Sequence, residues 1–282
     1  MIVDIHTHVF PPEMARARAR YAERDGWFGL LYGHPKAEMA SAEDLIAEMD
    51  AAGVQASAVC AFGWVDQGIC RELNDYLLAV SRKYEGRLLP FVGVQPRASK
   101  AAVAEIERCA ALGAKGVGEL MPDGQGFALD DEAMMAPIVD AAAACGLPIM
   151  THASEPLGHM YPGKGTVTPD VVYRFALRFP RARLICSHWG GGLPFYELMP
   201  EVASAFANVY YDTAASPFLY RAAIFPAAVA AVGAEKVLFG TDYPLIGQRR
   251  FLSQVRQSGL AGPALDAVLG GSALRLLGLG GR

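Results

Sequence analysis

Short apolar runs recur along the chain and alternate with longer segments in which apolar residues are spaced as in amphipathic helices. Eight runs are typical of buried strands: Ile2–Ile5, Gln55–Phe62, Leu88–Val94, Gly116–Leu120, Pro148–Met150, Arg183–Cys186, Val209–Tyr211 and Val237–Phe239. Their centres lie about 24 to 54 residues apart, which suits strands joined by helical crossovers in a parallel sheet. Eight such βα units predict a (β/α)8 TIM barrel.

An open doubly wound sheet is the competing architecture. However, no glycine-rich G-x-G-x-x-G follows the first run, and eight strands exceed the usual number for that fold. No linker rich in Pro, Gly and Ser separates two composition regimes, so residues 1–282 are predicted to form a single barrel domain. The longest gap follows strand one, and we expect this insertion, at about 9–40, to cover the C-terminal face of the barrel.

Polar and glycine positions mark the ends of two predicted helices. Ser41 followed by Asp44 is a weaker form of the capping box, and Gly53 is a typical residue at a helix end. Thr168 before Pro169 is typical of an N-cap followed by proline in the first turn. Both helices fall between predicted strands, as the barrel requires.

Composition narrows the class of protein. Hydrophobic residues make up 52% of the 282 residues and charged residues 19%, so a large core can form. The net charge of −4 is unlike that of a nucleic-acid-binding protein, and no apolar stretch approaches the ~20 residues of a membrane span. Residues 1–6 contain no basic n-region, so a secretory signal is not expected. Five cysteines without a C-x-x-C pair disfavour a disulfide scaffold or a cysteine zinc site. We therefore expect a cytoplasmic protein that acts on a small molecule.

Four of the six histidines follow predicted strands, where barrel enzymes carry their active sites. His6 and His8 are two residues apart on strand one, so their side chains point the same way and can hold one metal ion. His152 and His188 end the fifth and sixth runs, and Asp242 follows the eighth. Each residue alone is more simply explained by hydrogen bonds at the rim or, for Asp242, by a turn. Together they predict a site for Zn²⁺ or a similar divalent metal, with one position open for water.

At these positions the sequence resembles the amidohydrolase superfamily, and in particular its branch of aminocarboxymuconate-semialdehyde decarboxylase-like enzymes. The matching segments are Asp4-x-His6-x-His8, Met49–Val54, Asn74–Leu77, His152, Ser187–Gly191 and Gly240–Pro244. The resemblance implies a distorted barrel in which His6, His8, His152 and Asp242 bind a divalent metal, usually zinc. It also implies that His188 is a catalytic acid or base, or a ligand of a second metal.

These implied roles agree with the chemistry of the residues. Water bound to a metal can have its pKa lowered to about 7, which yields hydroxide at neutral pH. Asp242 is a candidate proton acceptor as well as a ligand, and His188 can orient the water or stabilise developing charge. Asp4 either supports the ligands from behind or is a buried carboxylate bonded to polar groups of the barrel.

Strand four leaves the number of metal ions open. Relatives with two metals often bridge them with a carbamylated lysine or a glutamate on this strand. In this chain Glu119 ends the run, whereas Lys115 lies four residues earlier and is a poor candidate for the bridging ligand. Three roles are therefore open for Glu119. It is a bridging ligand, as in TatD-like nucleases; or it is a hydrogen-bonding group beside the site; or it is a structural residue paired with a cation. We favour one ion with Glu119 near it, and two ions remain the alternative.

Loops that follow the predicted strands supply candidates for substrate binding. The loop after strand five contains His159, Tyr161 and Lys164. Arg97 after strand three and Arg249 after strand eight are the nearest candidates to pair with a substrate carboxylate. All five are otherwise ordinary loop or surface residues.

The favoured function is hydrolysis of a small lactone, ester or amide by metal-activated water. The first alternative is a metal-dependent decarboxylase of a small unsaturated or aromatic carboxylic acid, which needs a cation beside the substrate. A binuclear TatD-like phosphoesterase and a catalytically silent, metal-stabilised barrel are further alternatives. By analogy with relatives, the chain is expected to form a homodimer.

Overall fold

The computed structural model describes residues 1–280 and contains an eight-stranded parallel sheet with helices between the strands. The strands are β1 (Val3–Thr7), β2 (Ala56–Cys60), β3 (Leu88–Val92), β4 (Gly116–Leu120), β5 (Ile149–Thr151), β6 (Leu184–Cys186), β7 (Val209–Asp212) and β8 (Val237–Leu238). Their order in the sheet follows the chain from β1 to β8. Each of the eight predicted runs therefore overlaps one strand.

The α-helices follow the strands, singly or in groups of two to four. They are α1 (Pro12–Arg16), α2 (Arg18–Arg24), α3 (Gly26–Tyr32), α4 (Ala42–Ala52), α5 (Gln67–Lys83), α6 (Lys100–Ala111), α7 (Pro122–Gln125), α8 (Glu132–Ala144), α9 (Pro169–Arg178), α10 (Pro200–Ala205), α11 (Ser216–Leu219), α12 (Ile224–Val232), α13 (Gln248–Arg256), α14 (Gly262–Asp266) and α15 (Ser272–Leu276). Across residues 1–280, none of these helices has both the length and the apolar character needed to cross a membrane.

Hydrogen bonds join the last strand segment to the first. The amide of Ile5 donates to Phe239 O at 2.8 Å, and the amide of His8 donates to Tyr243 O at 2.7 Å. An open sheet would leave these edge groups unpaired. The predicted (β/α)8 barrel is therefore confirmed, and the competing open sheet is excluded.

The buried apolar side chains form two clusters, one inside the barrel and one between the strands and the helices. Ala58, Phe91 and Met150 belong to a buried cluster that fills the barrel interior, whereas Val59 and Val92 belong to the cluster packed against the helices. This alternation is the expected consequence of the two-residue period of a strand.

The helix ends follow the local sequence. In α4, the Asp44 amide donates to Ser41 Oγ at 3.2 Å, and the Ser41 amide donates to Asp44 Oδ2 at 2.9 Å. Gly53 ends this helix at a φ of 73°, where a residue without a Cβ is favoured. These observations confirm the capping box and the predicted end of α4.

The insertion after β1 is a packed structure that contains α1, α2 and α3. Phe28 of α3 is fully buried, and its ring lies 4.6 Å from the Trp64 ring and 5.5 Å from the Phe62 ring, both beyond β2. Such aromatic contacts stabilise the insertion beyond their buried area. They hold α3 above the C-terminal end of the barrel.

Candidate metal centre

The histidines and carboxylates selected from the sequence lie at the C-terminal ends of their strands. His6 and His8 are at the end of β1, Glu119 is on β4, and His188 is the second residue after β6. All four are buried, with at most 6% of any one exposed. This is the end of a TIM barrel at which active sites are built.

One group of ligand atoms surrounds a common point. His6 Nε2 lies 3.0 Å from His8 Nε2. Glu119 Oε2 is 3.5 and 3.6 Å from these two nitrogens, and Asp242 Oδ1 is 3.7 and 3.5 Å from them. Ligands bound at ~2.0–2.2 Å to one ion stand roughly 3.0–3.6 Å apart. The spacing of the four side chains therefore fits one divalent cation.

A second group shares Glu119. Its Oε1 atom lies 3.2 Å from His152 Nδ1 and 3.8 Å from His188 Nε2, and the two histidine nitrogens are 3.2 Å apart. The structure thus brings His152 to Glu119 and His188, while His6 and His8 contact the other oxygen of Glu119. Glu119 stands between two sets of imidazoles.

On each of the four histidines, one ring nitrogen bonds to an acceptor oxygen outside the cluster, and the other faces the remaining ligand atoms. In the neutral ring the first nitrogen can carry the proton and leave a lone pair on the second. These pairs are His6 Nδ1 with Asp212 Oδ2 (2.7 Å), His8 Nδ1 with Cys60 O (3.1 Å), His152 Nε2 with Gly163 O (2.9 Å) and His188 Nδ1 with Ala214 O (3.2 Å). The remaining lone pairs are those facing the other ligand atoms, and orientation of this kind is typical of metal-binding histidines.

The charges of the site favour a cation. Burial lowers the pKa of His6, but Asp212 and Glu119 outweigh burial and hold this pKa well above its usual value. Burial raises the pKa of Glu119, but His6 and His152 outweigh it, and the pKa lies well below the usual range. Burial and the neighbouring His6 lower the pKa of His8. The carboxylates of Asp212 and Glu119 therefore favour positive charge at the point where His6, His8 and Glu119 meet.

Asp212 at the end of β7 is a residue of the site that the sequence analysis missed. Its carboxylate is fully buried; Oδ2 accepts from His6 Nδ1, and Oδ1 accepts from the amides of His188 (2.9 Å) and Ala214 (3.0 Å). One carboxylate therefore orients a candidate ligand and also holds the backbone at His188. Asp212 directly follows the seventh apolar run, as Asp242 follows the eighth, and this position could have identified it as a site residue.

Replacing Asp212 with asparagine is expected to weaken divalent-metal affinity about 10- to 100-fold. Asparagine has one acceptor oxygen, so it cannot serve both His6 and the amides of His188 and Ala214. Titration of the metal-free protein with Mn²⁺, followed by calorimetry, measures the effect. Asp25→Asn is the matched control, because Asp25 is also buried but accepts only from backbone amides beyond the site. Equal metal affinity in the two variants would contradict the role of Asp212.

Asp4 lies behind the site and accepts from the backbone amide of His6 at 3.2 Å, not from a histidine ring. Its carboxylate is fully buried and accepts from the Thr241 hydroxyl at 2.6 Å and from Gln248 Nε2 at 2.8 Å. Burial raises the pKa of Asp4 to about 6, although these hydrogen bonds oppose the change. Asp4 therefore ties β1 to the segment that carries Asp242.

Two site residues adopt left-handed backbone conformations. The φ angle is 56° at His188 and 65° at Asp242, a region that costs energy for residues other than glycine. The amide of His188 is held by Asp212 Oδ1, and the amide of Asp242 donates to His6 O at 2.9 Å. These contacts hold the strained backbone, which directs both side chains to the cavity.

A cavity of about 620 Å³ opens above the site. Its floor is formed by His8, Glu119, His152, His188 and Asp242. Its walls are mostly apolar or aromatic and include Leu31, Tyr32, Met121, Tyr161, Phe218 and Leu245. A pocket of this size suits a small, largely apolar molecule with polar groups at one end.

Two of the five candidate substrate-binding residues, His159 and Tyr161, line this cavity. Arg97, Lys164 and Arg249 are not among the lining residues within 1–280. Lys164 Nζ turns back to donate to Leu157 O at 2.6 Å and His159 O at 3.1 Å, and the two arginines are exposed. Lys36 of the insertion lines the cavity instead. The sequence indicated only that the insertion covers this face of the barrel, because the segment around Lys36 is apolar.

Solved structures with the same fold cover almost all of this chain. A 5-carboxyvanillate decarboxylase from Sphingomonas paucimobilis is 20% identical, with a TM-score of 0.79 and 98% of each chain covered. A 2,6-dihydroxybenzoate decarboxylase from Rhizobium is 21% identical (TM-score 0.74, 99% of each chain). A dihydroxybenzoic acid decarboxylase from Polaromonas with bound manganese is 18% identical (TM-score 0.74, 100% of this chain and 98% of that chain).

The sequence itself is matched by a family model. No curated protein sequence matches this chain. The amidohydrolase family model, however, matches residues 3–279, and such enzymes use a divalent metal, which agrees with the donor set described above. The chain therefore belongs to the amidohydrolase family.

Proposed function

We propose that this protein is a metal-dependent decarboxylase that releases CO₂ from a small aromatic or unsaturated carboxylic acid. The observation that carries the proposal is the apolar, aromatic cavity that ends on the cluster of histidines and carboxylates. The decarboxylase activities named for the three compared structures support it. The hydrolase predicted from the sequence has no such support and stays an unconfirmed prediction.

The cavity floor contains the groups that this reaction needs. A divalent cation, when bound, supplies positive charge that holds a substrate oxygen and stabilises negative charge developing on it. The bond between the ring carbon and the carboxylate breaks, CO₂ leaves, and the electron pair on the carbon takes a proton. His188 and Asp242, both at the floor, are the residues proposed to deliver that proton.

The apolar walls favour decarboxylation for a further reason. A carboxylate loses favourable hydration when it enters an apolar cavity, whereas CO₂ and the aromatic product are less strongly hydrated. Wall residues such as Met121, Phe218 and Leu245 therefore favour loss of the charged group. They also provide contact area for a planar ring.

The test is a turnover panel with the Mn²⁺-loaded and Zn²⁺-loaded protein. We expect CO₂ release from an aromatic acid such as 5-carboxyvanillate or 2,6-dihydroxybenzoate, measured as dissolved CO₂ together with the decarboxylated product by chromatography. Esters, lactones and amides of comparable size are the controls and are expected to remain intact. Hydrolysis of these compounds with no CO₂ from any acid would contradict the proposal.

A binuclear hydrolase or phosphoesterase is the second candidate. It is favoured by the position of Glu119, whose two oxygens face two separate sets of histidines. Two metal ions per chain by elemental analysis, together with turnover of a lactone or phosphodiester, would support this candidate. One ion per chain and CO₂ release would support the decarboxylase and the mononuclear site predicted from the sequence.

A further inference from the structure

Tyr32 is held rigidly at the edge of the cavity by the aromatic residues of the insertion. It is the last residue of α3, and its ring stacks on Phe28 with centroids 5.2 Å apart and an angle of 27°. The rings of Phe10 (5.0 Å) and Phe62 (5.9 Å) pack against it edge-on. These contacts fix where the phenol points.

Tyr32 is half-buried, and its hydroxyl has no hydrogen-bond partner within residues 1–280. The other tyrosine that lines the cavity, Tyr161, donates to Glu155 Oε2 at 2.9 Å. Tyr21, in the same aromatic cluster as Tyr32, donates to Glu72 Oε1 at 2.5 Å. The free hydroxyl of Tyr32 lines the same cavity as His8 and Asp242, so it is available to a bound molecule.

The surroundings of Tyr32 keep it a hydrogen-bond donor. Burial raises the pKa of its phenol, and the nearby carboxylates of Asp242 and Glu119 raise it further. The hydroxyl therefore retains its proton at neutral pH. Both oxygens of Glu119 and Oδ1 of Asp242 face histidines, and the Tyr32 hydroxyl bonds to neither carboxylate, so its proton is left for an acceptor on a ligand.

Apart from the histidines, the cavity lining offers little positive charge to a carboxylate. No arginine lines it within the described residues, and Lys36 is an exposed residue of the insertion. A carboxylate near the floor meets Glu119 and Asp242, which repel it. It consequently needs a donor beside the metal, and a hydrogen bond to a charged acceptor is stronger than one between neutral groups.

We propose that Tyr32 contacts the substrate and donates a hydrogen bond to a carboxylate oxygen of the bound acid. This inference rests on the proposed function, because it assigns the recognition of the acid group in the same cavity. It makes the insertion after β1 part of the binding site.

The test compares two ligands that differ only in the carboxylate: 2-hydroxybenzoate and phenol. Their affinities for the Mn²⁺-loaded protein are measured by calorimetry, so that no turnover is needed. Tyr32→Phe keeps the ring and removes the hydroxyl; it is expected to weaken 2-hydroxybenzoate binding about 10- to 100-fold and to change phenol binding less than about twofold. The ratio of the two affinities within each variant corrects for any general loss of folded protein.

Tyr21→Phe is the matched control, since it removes a hydroxyl from the same aromatic cluster outside the cavity, and both affinities are expected to stay unchanged. Equal weakening of both ligands by Tyr32→Phe, no weakening of either, or a wild-type protein that binds neither ligand would overturn the inference. Failure of the decarboxylase proposal is seen separately, as absence of CO₂ in the turnover panel.

Discussion

Exhaustive removal of divalent cations from the protein is expected to lower turnover by at least ~10³-fold. A bound divalent metal contributes several kcal/mol to the stabilisation of the transition state, and each ~1.4 kcal/mol corresponds to a factor of ten in rate. The melting temperature is also expected to fall, because the buried carboxylates of Glu119 and Asp212 lose their counter-charge. Activity assays and thermal melts before and after chelation measure both effects.

Restoring the metal is the control for this experiment. Addition of Mn²⁺ or Zn²⁺ should return activity to the native protein but not to His8→Ala, which lacks one of the two imidazole nitrogens 3.0 Å apart. Full activity in the metal-free protein would refute the metal centre. Comparison of the activities restored by Zn²⁺ and by Mn²⁺ also tests the prediction that the metal is zinc.

Replacing His188 with asparagine is expected to lower kcat ~10²- to 10⁴-fold, the usual contribution of a general acid or base. Asparagine is the appropriate substitution, because His188 has a φ of 56° and asparagine tolerates this left-handed conformation better than alanine. The cluster around His6 and His8 does not include His188, so one tightly bound ion should remain. Steady-state kinetics and elemental analysis measure the two quantities.

His159→Asn is the matched control for this substitution. His159 lines the same cavity but lies on an exposed loop away from the ligand atoms, so a change in kcat of less than about tenfold is expected. Unchanged kcat in the His188 variant would show that His188 has no chemical role. Loss of one of two bound ions in that variant would instead assign His188 to the second group with Glu119 and His152.

The architecture could be predicted because strands and helices leave local patterns. Each of the eight apolar runs overlaps one strand, and the capping residues Ser41 and Gly53 mark both ends of α4. The order of strands then follows from short right-handed connections, which bring successive βα units side by side. Strand bounds differ from the prediction by a few residues, since hydrogen-bond pairing decides where a strand ends.

The candidate site was predicted only in part. Residues that directly follow strands, such as His152, were identifiable because a barrel collects these positions at one rim. Asp212 was missed, although it follows the same rule, because a single aspartate beyond a strand resembles a turn residue. Substrate-contacting candidates such as Tyr32 and Lys36 come from the insertion, whose packing against the rim leaves no periodic pattern.

The sequence by itself determined the barrel and the amidohydrolase family, and it predicted most of the residues that gather at the candidate metal centre. These features depend on local periodicity and on which side chains follow the strands. Tertiary structure alone decided that Glu119 stands between two groups of histidines, that Asp212 orients His6, and that Arg97 and Arg249 lie away from the cavity. Those outcomes depend on distances between side chains far apart in the chain, which packing sets and which no local pattern records.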